Sequence, residues 1–374
     1  MSKYNWNIYV IEEKLRQVEK LQKTQEFDNP SIIRNDIDFL KEYIEIYYSK
    51  QKSKDIPKLL DAYNDMKEDL IDISFLWNDL SEFNRITQNA IPHLSNLKTN
   101  SLSKDDILCL THDFFKSLNK YFFDIFLKSY KNRKNHFSFY KSLENITYKG
   151  LSLCVLSMQE NYIEISRDNT IEDVLTTIHE YTHVCGSLIN PMHMLFPKNI
   201  FGEIDPLFME LISNDFLYKQ LKDDNLKTHK VNNHFSYSNH AEEIIKKTKL
   251  IELERNLKNG FQTNKELKDI ANTKLNIHPL ILEDIIRDSN STSDYYLISY
   301  LFAIEFYELY LKDKEKALFY LRKFILLECK SELEYYESIK KLGIIPNLSV
   351  MNFHKTCEED AYRLSRKQLK KNIS

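Results

Sequence analysis

Glycine and proline are scarce, five and eight among 374 residues. So few breakers argue against a turn-rich β fold and favour long helices. Cysteine is scarce as well. Cys109, Cys154, Cys185, Cys329 and Cys357 are odd in number, scattered, and form no Cys-x-x-Cys pair. This argues against a disulfide framework or a thiolate zinc site; buried free thiols of a reducing, cytoplasmic protein are expected. Neither sign of charge prevails: 52 Lys+Arg stand against 55 Asp+Glu, a net −3, so no nucleic-acid footprint is expected. No apolar run approaches the length of a membrane span. The first fifteen residues contain Glu12 and Glu13 and no small-residue cleavage site, and do not read as a signal peptide.

What the chain does have is aromatic bulk, 23 Tyr and 22 Phe, enough to supply much of a large core. Stretches 5–26 and 31–54 have helical periodicity with a break at Asn29-Pro30. Ile37, Leu40, Tyr43, Ile44 and Tyr47 make one stripe of the second. Pro57 permits another helix start, residues 89–99 around Pro92 read as a connection, and Ser103-x-x-Asp106 is a capping signal for a further helix. Residues 1–145 are thus expected to form a helical N-terminal region without chemistry, and any chemistry is expected in 146–374. The character changes at Gly150: 151–158 is a short apolar run and 162–166 alternates, so two neighbouring strands are expected there. Three of the five glycines fall between 150 and 202, where tight turns or close backbone approach are required. Helical patterning then resumes to the C-terminus, apart from a polar stretch, 222–239. The fold class expected is mainly α with a small sheet.

Thr170-x-x-Asp173 is a capping box, and Asn190-Pro191 ends the helix it opens. Inside lies His179-Glu180-Tyr181-Thr182-His183. Four residues are slightly more than one turn, so both imidazoles project from one face and can hold one metal ion. Glu180, rotated about 100° from His179, flanks such an ion and suits a general base. The bland alternative is two histidines on a partly polar face, one paired with Glu180. A zinc peptidase needs a third protein ligand. Asp205-Pro206 reads as a helix start, and Glu210 follows one turn inside among Leu207, Met209, Leu211 and Ile212. A carboxylate in so apolar a helix is costly unless paired or metal-bound, so Glu210 is preferred and Glu203 is the competitor. His229, His234 and His240 in the polar stretch read as solvated, with a second metal site or a mobile lid as the alternative.

The segment Tyr162–Ser166, the Thr170 to Asp173 box, the His179–His183 motif, and Phe201-Gly202 followed eight residues later by Glu210-Leu-Ile-Ser213 together resemble the zinc metallopeptidases of the oligoendopeptidase F and thimet oligopeptidase group. The run from Asp294 through Tyr300 to Phe302 is similar to that family's tyrosine-rich helix, and the resemblance covers about 150–345. It implies a gluzincin with one Zn²⁺ held by His179, His183 and Glu210, and Glu180 as base and proton shuttle. A tyrosine of the 294–312 helix would meet the oxyanion, Tyr300 first and then Tyr296; Tyr307 shares their face, and core packing is the alternative role of that stripe. It also implies a two-lobed helical architecture with a deep cleft taking short unstructured oligopeptides, strand 162–166 offering its backbone to the substrate. The chain departs from the pattern at Thr182, where the family has Gly, and has no in-phase histidine before the tyrosine-rich helix, His278 lying too early. A catalytically silent zinc protein acting as a peptide-binding or interaction module is the alternative reading, and an accidental motif in a helical interaction protein is a further one.

Overall fold

The computed structural model describes residues 6–24, 30–49, 58–69, 74–88, 94–95, 101–131, 137–141, 149–158, 160–194, 200–287, 291–329 and 331–373. The breaks expected at Asn29, Pro57 and Pro92 lie outside them. In chain order the elements are α1 (Trp6–Thr24), α2 (Pro30–Ser49), α3 (Leu59–Asp69), α4 (Trp77–Thr87), α5 (Lys104–Ser117), α6 (Lys120–Tyr130), β1 (Phe137–Lys141), β2 (Gly150–Val155) and β3 (Glu160–Arg167). Then come α7 (Ile171–Ile189), α8 (Ile204–Leu221), α9 (Asp224–Arg255), α10 (Asn264–Leu275), α11 (Pro279–Arg287), α12 (Ser291–Lys312), α13 (Lys314–Ile325), α14 (Glu332–Lys341) and α15 (Val350–Ile373). The fold is mainly helical with one small sheet, and no helix among the described residues is long and apolar enough to cross a membrane.

Two compact units result, each from two stretches: Met1–Asp55 with Thr99–Phe196, and Ile56–Lys98 with Pro197–Ser374. In the first unit α1 and α2 bury Ile11, Val18, Ile33, Ile37 and Leu40 against Leu153 and Val155 of β2. Asp36 of α2 accepts from the backbone N of Leu156 (3.2 Å) and Ser157 (2.8 Å), fixing the 3₁₀ turn that follows β2. The sheet runs β1-β3-β2, with β3 antiparallel to β2 and parallel to β1. Residues 137–141 are therefore a strand, against the expectation of helix throughout 1–145. Because β3 is paired on both sides, its backbone is spent on its neighbours and is not an edge for a substrate strand to join.

In the second unit α3, α9, α10 and α11 enclose Tyr63, Met66, Leu250, Phe261, Leu267 and Leu282. The polar stretch expected to be loop-like is the first half of α9, a 32-residue helix. Its hidden face is polar and finds polar partners. Asn232 exchanges two hydrogen bonds with the Leu94 backbone (2.9 and 3.0 Å), Ser238 donates to Thr87 Oγ1 (2.6 Å) or its carbonyl (2.8 Å), and Lys230 pairs with Asp215 (3.0 Å).

His234, fully buried, lies 3.2 Å by Nδ1 from the Tyr300 hydroxyl and 2.9 Å by Nε2 from Nδ1 of His354 on α15. A neutral imidazole satisfies both contacts, accepting from Tyr300 and donating to His354. Burial, with the neighbouring His354 adding to it, lowers the His234 pKa to about 3. The unfolded chain takes up this proton near 6.5 and the folded chain only near 3, so stability is complete above about pH 6.5 and falls as the pH drops through that window. Against a His234→Gln variant, wild type should lose about 1.4 kcal/mol more per pH unit between pH 6 and 4 in urea unfolding. Parallel pH dependences in the two proteins would contradict the assignment.

Candidate metal centre

The segment entering α7 turns at Asn169, whose positive φ of 62° belongs to the left-handed region that Asn tolerates. The capping box expected at Thr170 and Asp173 is present, and the Asp173 carboxylate also accepts from the backbone N of Asp168 (3.1 Å) and Thr170 (3.2 Å). α7 packs on α5, α6, β2 and β3. Tyr181 wedges between Phe126 (centroids 5.1 Å) and Phe137 (5.7 Å), which fixes the rotation of the helix. Thr182, where the resembled family has Gly, donates to the Ile178 carbonyl at 2.8 Å and fits inside the helix groove.

That rotation puts His179, Glu180 and His183 under little solvent, each 7% exposed. The two imidazole centroids are 5.0 Å apart with planes at 74°. Two rings on one tetrahedral zinc, with bonds of about 2.0–2.1 Å, have centroids roughly 5 Å apart, so the pair fits that ion without rearranging the helix. Glu180 sits under the start of β2. A Cβ built on Gly150 would lie 2.5 Å from Glu180 Oε1, 2.8 Å from its Cγ and 2.6 Å from Thr176 Cγ2. Gly150 is thus the close-approach glycine that the 150–202 window calls for. Nearby Cys154 is held as a thiol, its pKa pushed up to about 12 chiefly by burial, with Glu180 and Asp36 adding to the rise. All five cysteines are free; Cys109, unlike the others, is exposed.

In the second unit α8 begins two residues before the expected Asp205 cap. Glu203 is the N-cap residue, its carbonyl accepts from Leu207 N (3.0 Å), and Pro206 sits in the first turn, where its missing N–H costs little. Glu210 follows on this largely buried helix. Its Oε1 accepts from Asn233 Nδ2 of α9 at 3.2 Å and lies 3.7 Å from His229 Nδ1. Glu210, His229, Asn233, Tyr237 and Tyr300 line one small cavity of this unit.

The tyrosines of α12 differ from one another. Tyr300 is buried, engages His234, and stacks on Tyr237 with centroids 4.1 Å apart. Tyr307 is buried and donates to Asp215, whereas Tyr296 is half-buried. The three histidines of the polar stretch are helical residues rather than solvated loop residues or a lid. His234 is in the core, and His240 lies 2.9 Å from Asp294 and 3.3 Å from Glu243. Asn233 and Tyr237 escaped the sequence reading; their spacing from His229, four and eight residues, is the helical signal that marks them.

The chain matches no family model and no curated protein sequence. It is similar to solved structures. A protein from Chlamydophila abortus assigned as a peptidase is 14% identical, with a TM-score of 0.53 over 94% of this chain and 63% of that one. A protein from Bacillus anthracis str. Ames assigned as an oligoendopeptidase F is 10% identical, with a TM-score of 0.47 over 92% of this chain and 64% of that one. The chain therefore spans just under two thirds of the length of these two proteins. At 14% identity what the first of them shares with this chain is the fold alone, the architecture of helices and small sheet.

The Gly150 contact carries a prediction. Thr176 is fixed on its helix and cannot retreat, so Gly150→Ala should destabilise the protein by about 1–3 kcal/mol, read by urea unfolding. An unchanged midpoint would show that the approach is loose enough to admit a methyl group.

Proposed function

We propose that the chain is a zinc-dependent metalloendopeptidase that hydrolyses short unstructured oligopeptides. The observation that carries this reading is the buried His179–His183 pair, spaced for one ion, with Glu180 on the same turn. His179 and His183 would hold one Zn²⁺, with a carboxylate, Glu203 or Glu210, as third ligand. Imidazole and carboxylate are a donor set suited to catalytic zinc, and no thiolate is needed. Such an ion, when bound, acidifies water to a pKa of about 7 and polarises a carbonyl. The fold shared with a protein assigned as a peptidase supports the same reading.

The chain's own part begins at Glu180. Its carboxylate, one residue from His179 and close under Gly150, is the base that removes the proton of the attacking water. The same carboxyl group then returns that proton to the leaving amine. The developing oxyanion needs a fixed donor, a tyrosine of α12. Tyr300 and Tyr296 are the two candidates, and the Tyr300 hydroxyl is engaged by His234. The engagement of Tyr300 is also the observation that favours the silent alternative, a zinc protein that binds peptides without cutting them.

Activity decides between these. The purified protein should cleave a quenched fluorescent peptide library, and a chelator should stop it. Glu180→Gln should lower kcat by about 10²- to 10⁴-fold while the zinc content stays at the wild-type level. Zinc without turnover in the wild type would favour the silent protein, and wild-type turnover in Glu180→Gln would remove Glu180 as the base. For the third ligand, Glu203→Ala and Glu210→Ala are compared: the variant that weakens zinc binding names the ligand, and full affinity in both would remove both.

A further inference from the structure

His234 of α9 uses both of its ring nitrogens. Nδ1 lies 3.2 Å from the Tyr300 hydroxyl and Nε2 lies 2.9 Å from Nδ1 of His354 on α15. His354 turns its other nitrogen, Nε2, to Glu358 Oε1 at 3.5 Å, and that carboxylate side chain is 40% exposed. At the opposite end, Tyr300 of α12 lines the small cavity of this unit. Four side chains in series therefore connect a cavity to the surface. Phe83 of α4, Phe235 of α9 and Phe353 of α15 meet the His234 ring edge-on, with centroids 6.1, 5.3 and 5.2 Å away, and Phe235 meets His354 in the same way at 5.5 Å. Inside this apolar sheath the polar contacts of the two rings, among the described residues, are Tyr300, each other and Glu358.

A neutral imidazole holds one N–H and one lone pair, so the role of one nitrogen decides the role of the other. Burial keeps both rings neutral: His234 is lowered to about 3, and His354 is held below the usual imidazole range although Glu358 opposes the shift. A carboxylate only accepts. The nitrogen facing it, Nε2 of His354, therefore carries the proton, since a lone pair there would meet a negative charge. Nδ1 of His354 then accepts from Nε2 of His234, and Nδ1 of His234 accepts from Tyr300. One charge at the surface fixes the direction of every contact.

We propose that Tyr300, His234, His354 and Glu358 form a directed hydrogen-bond relay, in which the charge at position 358 sets whether the Tyr300 hydroxyl gives its proton to His234 or to a group in the cavity. With Glu358 in place the proton is committed to His234. Toward anything in the cavity Tyr300 then only accepts: it can take an N–H or ammonium group and gives nothing to an oxyanion. A donor in place of the carboxylate reverses the members in turn, with no proton gained or lost in the relay. Each imidazole exchanges its Nε2 proton for one on Nδ1, and the phenol O–H turns away from His234. Neither a metal nor turnover enters, so the inference stands or falls apart from the peptidase reading.

The test is the tautomer of both rings in the full chain labelled with ¹⁵N-histidine, read near neutral pH by two-bond ¹⁵N–¹H correlation, which separates protonated from unprotonated ring nitrogens. His234→Gln and His354→Gln assign the signals, and His234 is also recognised in wild type as the last of the two rings to charge on acidification. Wild type should carry the proton on Nε2 of both rings. Glu358→Lys, a change on a half-exposed turn that puts a donor where the acceptor stood, should move it to Nδ1 in both, although His234 is two contacts away. A proton on Nδ1 of either ring in wild type would overturn the direction. A changed His354 beside an unchanged His234 would break the relay at their contact, and no change in either ring would remove position 358 as the group that sets it.

Discussion

The account depends on the burial of two imidazoles from a single turn of α7. An imidazole withdrawn from water loses hydration that a partner must replace, and two of them with ring centroids 5.0 Å apart are spaced so that one cation could serve both. The surrounding sequence serves that placement. The capping box at Thr170 and Asp173 sets where the helix starts, and Tyr181, locked between Phe126 and Phe137, sets how it is turned. Gly150 lets β2 come down on the same helix where any side chain would strike Glu180. Start, rotation and close approach are three independent constraints, and they agree on which residues occupy the shielded face.

The second unit solves a different problem with similar means. Its long helix α9 hides a polar face, and several of its polar groups meet counterparts: Asn232 with the Leu94 backbone, Ser238 with Thr87, Lys230 with Asp215, His234 with Tyr300 and His354. Such a face specifies one alignment, since sliding the helix by a residue would strand every donor at once. That specificity is a reason for a fold to retain polar groups in its interior where apolar ones would pack as well.

These two designs explain what could be seen in the amino-acid sequence beforehand. α7, β2 and β3 are legible because their signals are local: a capping box, an alternation of Ile163 and Ile165, a pair of histidines four apart. β1 is not, because Phe137–Lys141 is five residues long and its pairing with β3 depends on a partner more than twenty residues away. The first half of α9 is missed for a physical reason. Periodicity methods look for an apolar stripe, and this helix buries Asn225, Thr228, Lys230, His234 and Ser238 instead. The start of α8 moves from Asp205 to Glu203 because the backbone turns at Phe201, whose carbonyl accepts from Ile204 N. In the candidate site the histidines and Glu180 follow from spacing alone, whereas the contact of Asn233 with Glu210 requires knowing that two helices adjoin.

The most direct measurement of the central claim is X-ray absorption at the zinc edge on the purified, zinc-loaded chain. The account predicts two imidazole nitrogens at about 2.0–2.1 Å with oxygen completing the shell and no sulfur. A zinc that binds through thiolate, through one imidazole only, or not at all would contradict it.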